Sequence, residues 1–290
     1  MEFISPRLTG QHVLFLHVMI QRVIPSSGEK LPVIGLGTWK VFDVAANRYP
    51  ALKDVLVQLH DAGARLIDSS PMYGRSEEVI GNITSGMQTA NDFFYATKVR
   101  TTGLNEGIKQ MEASMRKMKR KTMDLIQIHN LVDWKTHLPQ LRGWKDEGKI
   151  RYFGITHYTD EHHDELERII KGERPDFVQF NYSITARNAE KRLLDVASAL
   201  GIATLINRPF GEGCLFSKVK GKSLPPWAAD YNITTWSAYF LKYIIAHPAV
   251  TCAIPATANP QHAHDNVMAA KGELLSDKVK KKMVNYLDDL

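Results

Sequence analysis

Four polar residues stand at spacings that suit proton chemistry. Asp68 closes the apolar run "LID", Tyr73 follows five residues later in "SSPMYG", Lys98 lies inside "FFYATKV", and His129 ends "DLIQIH". Each alone has a plain structural reading. Asp68 suits a turn or cap, Lys98 a charge reaching out from a strand end, and His129 a satisfied core histidine. Together they make chemical sense. A free phenol, with a pKa of ~10, is a poor donor near neutrality, and a neighbouring lysine cation lowers that value. A buried carboxylate keeps the lysine charged. A histidine beside the phenol directs a substrate oxygen. The set describes a proton donor poised at a carbonyl, needing neither nucleophile nor metal.

Elements must bring these groups together. Short apolar or β-branched runs read as strands at 33–39, 65–69, 93–99, 123–129, 151–156, 177–181, 203–207 and 251–255. Helical patterns separate them at 50–62, 105–119, 137–147, 160–171, 189–200, 234–246 and 260–270. Gly63 and Gly201 suit C-terminal caps, and Asp160 and Thr234 suit N-caps. Strands alternating with helices pair in parallel, and eight such units predict an α/β fold, a (β/α)8 TIM barrel. An open doubly wound sheet is the rival, but "GLGTWK" (Gly35–Lys40) lacks its dinucleotide fingerprint. "QRVIPSSGEKLPVIG" predicts an N-terminal β-hairpin closing the barrel floor, and 276–290 a C-terminal extra helix. Gly211–Tyr231 shows no regular pattern, as lids and binding loops often do not. At a barrel's C-terminal face, Asp68, Lys98 and His129 end three consecutive strands and converge on one mouth.

Composition narrows the remaining options. The 290 residues carry a net charge of +6, with basic runs at Met115–Lys121 and Lys278–Lys282 that read as solvated helix faces. No aromatic interleaving or known module points to nucleic acid. Two cysteines, Cys214 and Cys252, make neither a disulfide framework nor a metal pattern, which favours a reducing, cytoplasmic setting. His162 and His163 are adjacent on a predicted helix and so face apart, which counts against a metal. "VLFLHVMI" is too short to span a membrane and lacks signal-peptide flanks. Residues 1–19 therefore read as an N-terminal extension, with Met19 a possible internal start, and 20–290 as a single barrel domain.

"GLGTW", "IDSSPMYGRSEEVIG", "ATKV" and "IQIHN" resemble, in order and at the right strand ends, the successive signatures of the aldo-keto reductase superfamily. The resemblance runs from Ile20 to about Asn266. It implies NAD(P)H-dependent reduction of a small carbonyl substrate by a monomer or simple homo-oligomer. Tyr73 would be the general acid, tuned by Asp68 and Lys98, with His129 orienting the carbonyl. It further implies an NADPH site, with NADH less strongly excluded, built from Thr38, Thr156, His157 and Gln179. Asn207, Arg208, Pro209, Gly211 and Gly213 of "NRPFGEG" would join it, replacing the family's stacking aromatic. Ile254, Ala256, Thr257, His262 and Asn266 of "IPATANPQHAHDN" would hold the adenosine phosphate. Trp39, Arg100, His129 and Asn130 would line the substrate pocket. Arg100 and Asn130 stand where many relatives have aromatics, so a more polar pocket is expected, favouring oxygenated or acidic carbonyl compounds. A cofactor-binding scaffold or regulatory subunit of the same fold, or a barrel isomerase using Lys98 as a base, are the competing readings.

Ala256 and His262 occupy positions where NADPH-preferring relatives commonly carry lysine and arginine. Losing a charge-assisted arginine pair weakens phosphate recognition by about 1.5–3 kcal/mol. The expected preference for NADPH over NADH is ~10–100-fold, growing as pH falls from 8 to 6 and the histidine charges. The ratio of kcat/KM for the two cofactors, measured over that range in the parent and His262→Arg, checks this. A flat ratio with no gain from arginine removes His262 from the phosphate site.

Overall fold

The computed structural model describes residues 19–290. The expected N-terminal extension falls outside them except for Met19, which is buried and bridges Lys271. Strands β1 (Gln21–Val23) and β2 (Lys30–Pro32) form an antiparallel hairpin. Its turn passes through Gly28 at φ +79°. Eight parallel strands follow: β3 (Leu36–Gly37), β4 (Leu66–Asp68), β5 (Phe94–Val99), β6 (Met123–His129), β7 (Ile150–Thr156), β8 (Phe177–Asn181), β9 (Ala203–Asn207) and β10 (Cys252–Ala253). Each pairs with its neighbour in sequence.

The two edges of this sheet meet. Gly35 N–H donates to the Ala253 carbonyl at 2.9 Å, Ala253 N–H to Val33 at 2.8 Å, and Gly37 N–H to Pro255 at 3.1 Å. These bonds close the sheet into a barrel, with no edge left to aggregate. The seam is tight: a Cβ on Gly37 would lie 2.7 Å from the Ile254 carbonyl oxygen.

A ring of helices covers the barrel: α1 (Tyr49–Asp61), α2 (Ser76–Thr84), α3 (Leu104–Lys117), α4 (Trp134–Asp146), α5 (His163–Glu173), α6 (Leu193–Ala199), then the short α7 (Cys214–Lys218), α8 (Trp236–Ile245) and α9 (Pro260–Met268). Helix α10 (Asp277–Asp288) is the expected C-terminal addition. Leucine, isoleucine and valine fill the layer between helices and sheet. Inside the barrel, Phe94, Tyr152 and Phe177 pack ring against ring at 5.5–6.1 Å. Ile24 and Leu31 of the hairpin are fully buried in the same cluster. The barrel is therefore a plugged core, as the fold requires, and only its C-terminal end is free for polar groups.

Several local readings change. Helix α2 is absent from the sequence-based pattern because turn-forming Ser, Pro and Gly residues lead straight into it and its apolar stripe is only nine residues long. Thr235, not Thr234, caps α8, its hydroxyl accepting from Ala238 N–H at 3.1 Å. Asp160 starts a 3-10 turn and accepts instead from Asn181 Nδ2 at 2.6 Å. The 211–231 segment holds α7 and a 3-10 turn over Pro226–Tyr231, pinned by buried Leu215 and Ala228. Gly63 and Gly201 do follow their helices at positive φ.

Two helical glycines should respond oppositely to alanine. Ordinarily the change stabilises a helix interior by roughly 0.5–1 kcal/mol. A Cβ on Gly143 of α4 meets nothing within 4 Å, so Gly143→Ala should raise the thermal midpoint. A Cβ on Gly81 of α2 would overlap the Lys117 carbonyl oxygen at the end of α3. Overpacking costs about 1–3 kcal/mol, so Gly81→Ala should lower the midpoint. Calorimetry on both variants checks the contrast.

Candidate active site at the barrel mouth

Asp68, Lys98, Gln127 and Gln179, from the C-terminal parts of β4, β5, β6 and β8, meet through side-chain hydrogen bonds in one polar layer. Lys98 is fully buried, and its ammonium donates to Asp68 Oδ2 at 2.5 Å and to the Ser69 carbonyl at 2.8 Å. Asp68 Oδ1 accepts from Gln127 Nε2 and Gln179 Nε2, each at 3.2 Å. Thr156 Oγ1 in turn donates to Gln179 Oε1 at 3.1 Å. Thr38 Oγ1 lies 3.0 Å from both the Asp68 carbonyl and Ser69 Oγ. Side chains from β6 and β8 thus hold the carboxylate, while Gln127 Oε1 is buried without a partner among the described residues.

The loop after β4 folds back over this pair. Tyr73 N–H donates to the Ser70 carbonyl at 3.0 Å, and Gly74 takes φ +60° against the Asp43 carboxylate, where a Cβ has no room. Asp43 accepts from Arg75 N and Nε at 3.1 and 3.2 Å. The Tyr73 ring then stands 5.3 Å from Lys98 Nζ and edge-on to His129 at 5.8 Å. Helix α2 begins immediately, and its buried Glu77 accepts from Thr97 Oγ1 at 2.5 Å, tying the loop to the strand that carries Lys98. The sequence pattern had no place for Glu77. An acid at the start of an unrecognised helix carries no signal that it points inward.

The electrostatics follow from burial and charge. Burial pushes Lys98 toward neutrality, but Asp68 and Tyr73 together outweigh it, and its pKa stands above the ordinary lysine value. Burial raises the Tyr73 phenol, against the downward pull of Lys98. The net direction is therefore the reverse of the sequence-based expectation, because desolvation of the phenolate is the larger effect. The phenol keeps its proton. His129 drops to about 2 through burial and then the charges of Lys98 and Arg100, so the ring is neutral. Ser70 Oγ accepts from Met72 N–H at 3.2 Å and lies 2.9 Å from His129 Nδ1. In the tautomer in which this hydroxyl donates to Nδ1, the ring proton is on Nε2.

A cavity of about 730 Å³ opens above this layer. Thr38, Trp39, Asp68, Tyr73, Arg100, His129, Asn130, Thr156, Gln179, Asn207, Arg208, Pro209, Gly213, Ile254 and Ala256 line it. Lys98 lies buried beneath. Besides Lys98, five expected residues do not reach the lining: His157, Gly211, Thr257, His262 and Asn266. His157 stacks on His162 at 3.5 Å, while His163 turns away to Asn181 Oδ1 at 3.0 Å. Thr257 Oγ1 accepts from Asn259 N–H at 3.1 Å. Asn266 is buried in α9, and His262 is exposed in its first turn. Asn259 caps that helix, its Oδ1 accepting from the amides of Gln261 and His262 at 2.8 and 3.4 Å. That side chain satisfies two of the free amides at the N-terminus of α9. Among the described residues no group of His, Cys, Asp or Glu side chains is arranged to hold a metal, and no helix is long and apolar enough to cross a membrane.

Other wall residues were missed. Met72, Tyr158, Phe210 and Phe216 supply apolar surface, and Lys40 and Glu212 supply charge. Arg208 does not stand free as a stacking face. Its guanidinium donates to the Tyr158 carbonyl at 3.1 Å, lies 5.5 Å from the Tyr158 ring and pairs with Glu212 at 3.1 Å. Asn207 Nδ2 donates to the His157 carbonyl at 3.3 Å, and its Oδ1, buried, has no donor among the described residues. A molecule bringing an N–H group to this wall would satisfy it.

Residues 33–287 match the model of the aldo/keto reductase family, and the chain belongs to that family of oxidoreductases. Among curated relatives, methylglyoxal reductase YeaE of Escherichia coli (strain K12) is 26% identical over 267 residues, 89% of this chain and 92% of its own. Aldo-keto reductase str7 of Strobilurus tenacellus is 26% identical, with 78% of each chain covered. Among solved structures, an aldo-keto reductase from Klebsiella pneumoniae in complex with NADPH superposes with a TM-score of 0.77 at 24% identity, covering 93% of this chain and 96% of its own. That likeness bears on the fold, a (β/α)8 barrel.

The buried ion pair generates a stability prediction. Lys98→Met strands Asp68 as an unpaired buried charge and should cost roughly 3–5 kcal/mol. Asp68→Asn/Lys98→Met removes both charges while the asparagine oxygen still accepts from Gln127 and Gln179, so most of the loss should return. Denaturant unfolding of the single and double variants checks this; equal losses in both would contradict it.

Proposed function

We propose that the protein reduces an aldehyde or ketone to the alcohol with NADPH, Tyr73 acting as general acid. The observation that carries this reading is a protonated phenol held between a buried lysine cation and a neutral histidine at the wall of a cavity. Solved relatives bear NADPH, as in the Klebsiella pneumoniae complex, and the donor set here fits it. The unpartnered Asn207 oxygen suits the carboxamide N–H of a nicotinamide, with Gln179 and Thr156 on the same wall. Arg208, Pro209, Gly213, Ile254, Ala256 and Thr38 border the remaining length. When bound, the cofactor supplies hydride to the carbonyl carbon.

The chain's own residues handle the proton. His129 Nε2–H donates to the carbonyl oxygen and fixes its direction. Tyr73 gives its hydroxyl proton to that oxygen as negative charge develops there. The phenolate left behind faces Lys98, whose charge Asp68 maintains, and it regains a proton from solvent. Tyr158, Phe210 and Phe216 add aromatic surface to the cavity wall.

Tyr73→Phe keeps the ring and removes the proton. General acid catalysis is worth about 10²–10⁴-fold, so kcat should fall by that factor or more while NADPH still quenches tryptophan fluorescence. Near-normal turnover would remove Tyr73 from the role. NADPH binding by the parent with no reduction of any aldehyde in a broad panel would favour a scaffold instead.

A further inference from the structure

Charged groups at the cavity are unequally matched. Asp68 is neutralised by Lys98, and Arg208 and Glu212 neutralise each other at 3.1 Å. Lys40 and Arg100 also line the cavity, and neither has a carboxylate partner among the described residues. The Lys40 ammonium lies over the Trp39 ring at 4.1 Å. Arg100 has no such cover.

The placement of Arg100 is specific. Val99 of β5 pairs with Ile128 of β6, so the next residues along, Arg100 and His129, are neighbours across the two strands. The guanidinium charge acts on the His129 ring strongly enough to contribute to its neutral state. The backbone is clamped: Arg100 N–H donates to Gln110 Oε1 at 2.6 Å, and its carbonyl accepts from Gln110 Nε2 at 3.3 Å. The side chain is left to the cavity. Asn130, in the left-handed conformation at φ +54°, adds a carboxamide beside it.

We infer that Arg100 is a specificity-determining residue that binds the carboxylate of a short oxo acid while His129 and Tyr73 hold its carbonyl. A planar guanidinium matches a carboxylate through two parallel N–H donors. Because Arg100 adjoins His129, that carboxylate sits only a few atoms from the carbonyl. Trp39, Met72 and Phe216 offer apolar surface to the connecting carbons. The inference rests on the reductase reading but stands on different residues.

The test compares glyoxylate and succinic semialdehyde with their methyl esters, using the full chain and NADPH. The esters keep the aldehyde and remove the charge. The parent should prefer the acids by kcat/KM. In Arg100→Gln the acid-to-ester ratio should fall about 10–100-fold, mainly through KM, and Arg100→Glu should lower it further. Arg100→Lys should keep part of the preference, since charge remains but the fork is lost. A ratio that is the same in the parent and Arg100→Glu overturns the proposal even if both reduce the esters well. If the parent reduces none of the four compounds, calorimetric titration with succinate decides. Binding lost in Arg100→Glu would support the anion site, leaving the reductase reading to the broad aldehyde panel; equal or no binding would overturn the anion site.

Discussion

The pair of Lys98 and Asp68 constrains everything around it. An ammonium and a carboxylate taken fully out of water are costly, and their attraction repays the cost only when the remaining lone pairs and protons are also satisfied. Here that requirement is met by Gln127, Gln179 and the Ser69 carbonyl. The donors come from β6 and β8, the lysine from β5 and the acid from β4. Strand order, register and barrel closure must all be correct for the layer to form. Such a pair is weak evidence for stability in itself. It is better understood as the group that sets the charge facing Tyr73.

The same layer divides the barrel by chemistry. Below it, Phe94, Tyr152, Phe177 and the hairpin residues Ile24 and Leu31 make a dry plug. Above it the walls are mixed, with aromatic surface from Tyr158, Phe210 and Phe216 and unmatched positive charge from Lys40 and Arg100. The neutral His129 sits at the boundary. Burial first, and then the charges of Lys98 and Arg100, keep it from protonating, so the neutral ring donates only one hydrogen bond. The neutral ring also avoids adding another positive charge beside Lys98.

Much of this was legible in the sequence. The strands at 123–129, 177–181 and 203–207 fall where the apolar runs put them, because both faces of a parallel strand are buried and hydrophobicity marks the whole segment. Strand ends carrying Asp68, Lys98 and His129 were visible as polar residues interrupting such runs. The barrel seam was less visible. β3 and β10 retain only two residues each in ladder geometry, since closure there runs through Gly35, Gly37 and Pro255 rather than through long paired strands. Helix α2 was hidden by the turn formers before it, and the direction of the Tyr73 shift was hidden because desolvation depends on packing that spacing does not encode. His157 looked like a ligand contact from its position after β7. Its stacking on His162 depends on a 3-10 turn that no local pattern announces.

Burial raises the Tyr73 phenol, and the buried pair beneath it, chiefly Lys98, moderates that rise. Carbon-13 NMR of ring-labelled tyrosine, with the Tyr73 signal identified by its loss in Tyr73→Phe, measures that directly. The comparison is the parent against Asp68→Asn/Lys98→Met, which keeps the cavity but removes both charges. Lys98 lowers the phenol's pKa more than Asp68 raises it, so the Tyr73 signal should titrate at lower pH in the parent than in the double variant. A titration at the same pH in both would mean that the buried pair does not tune the phenol.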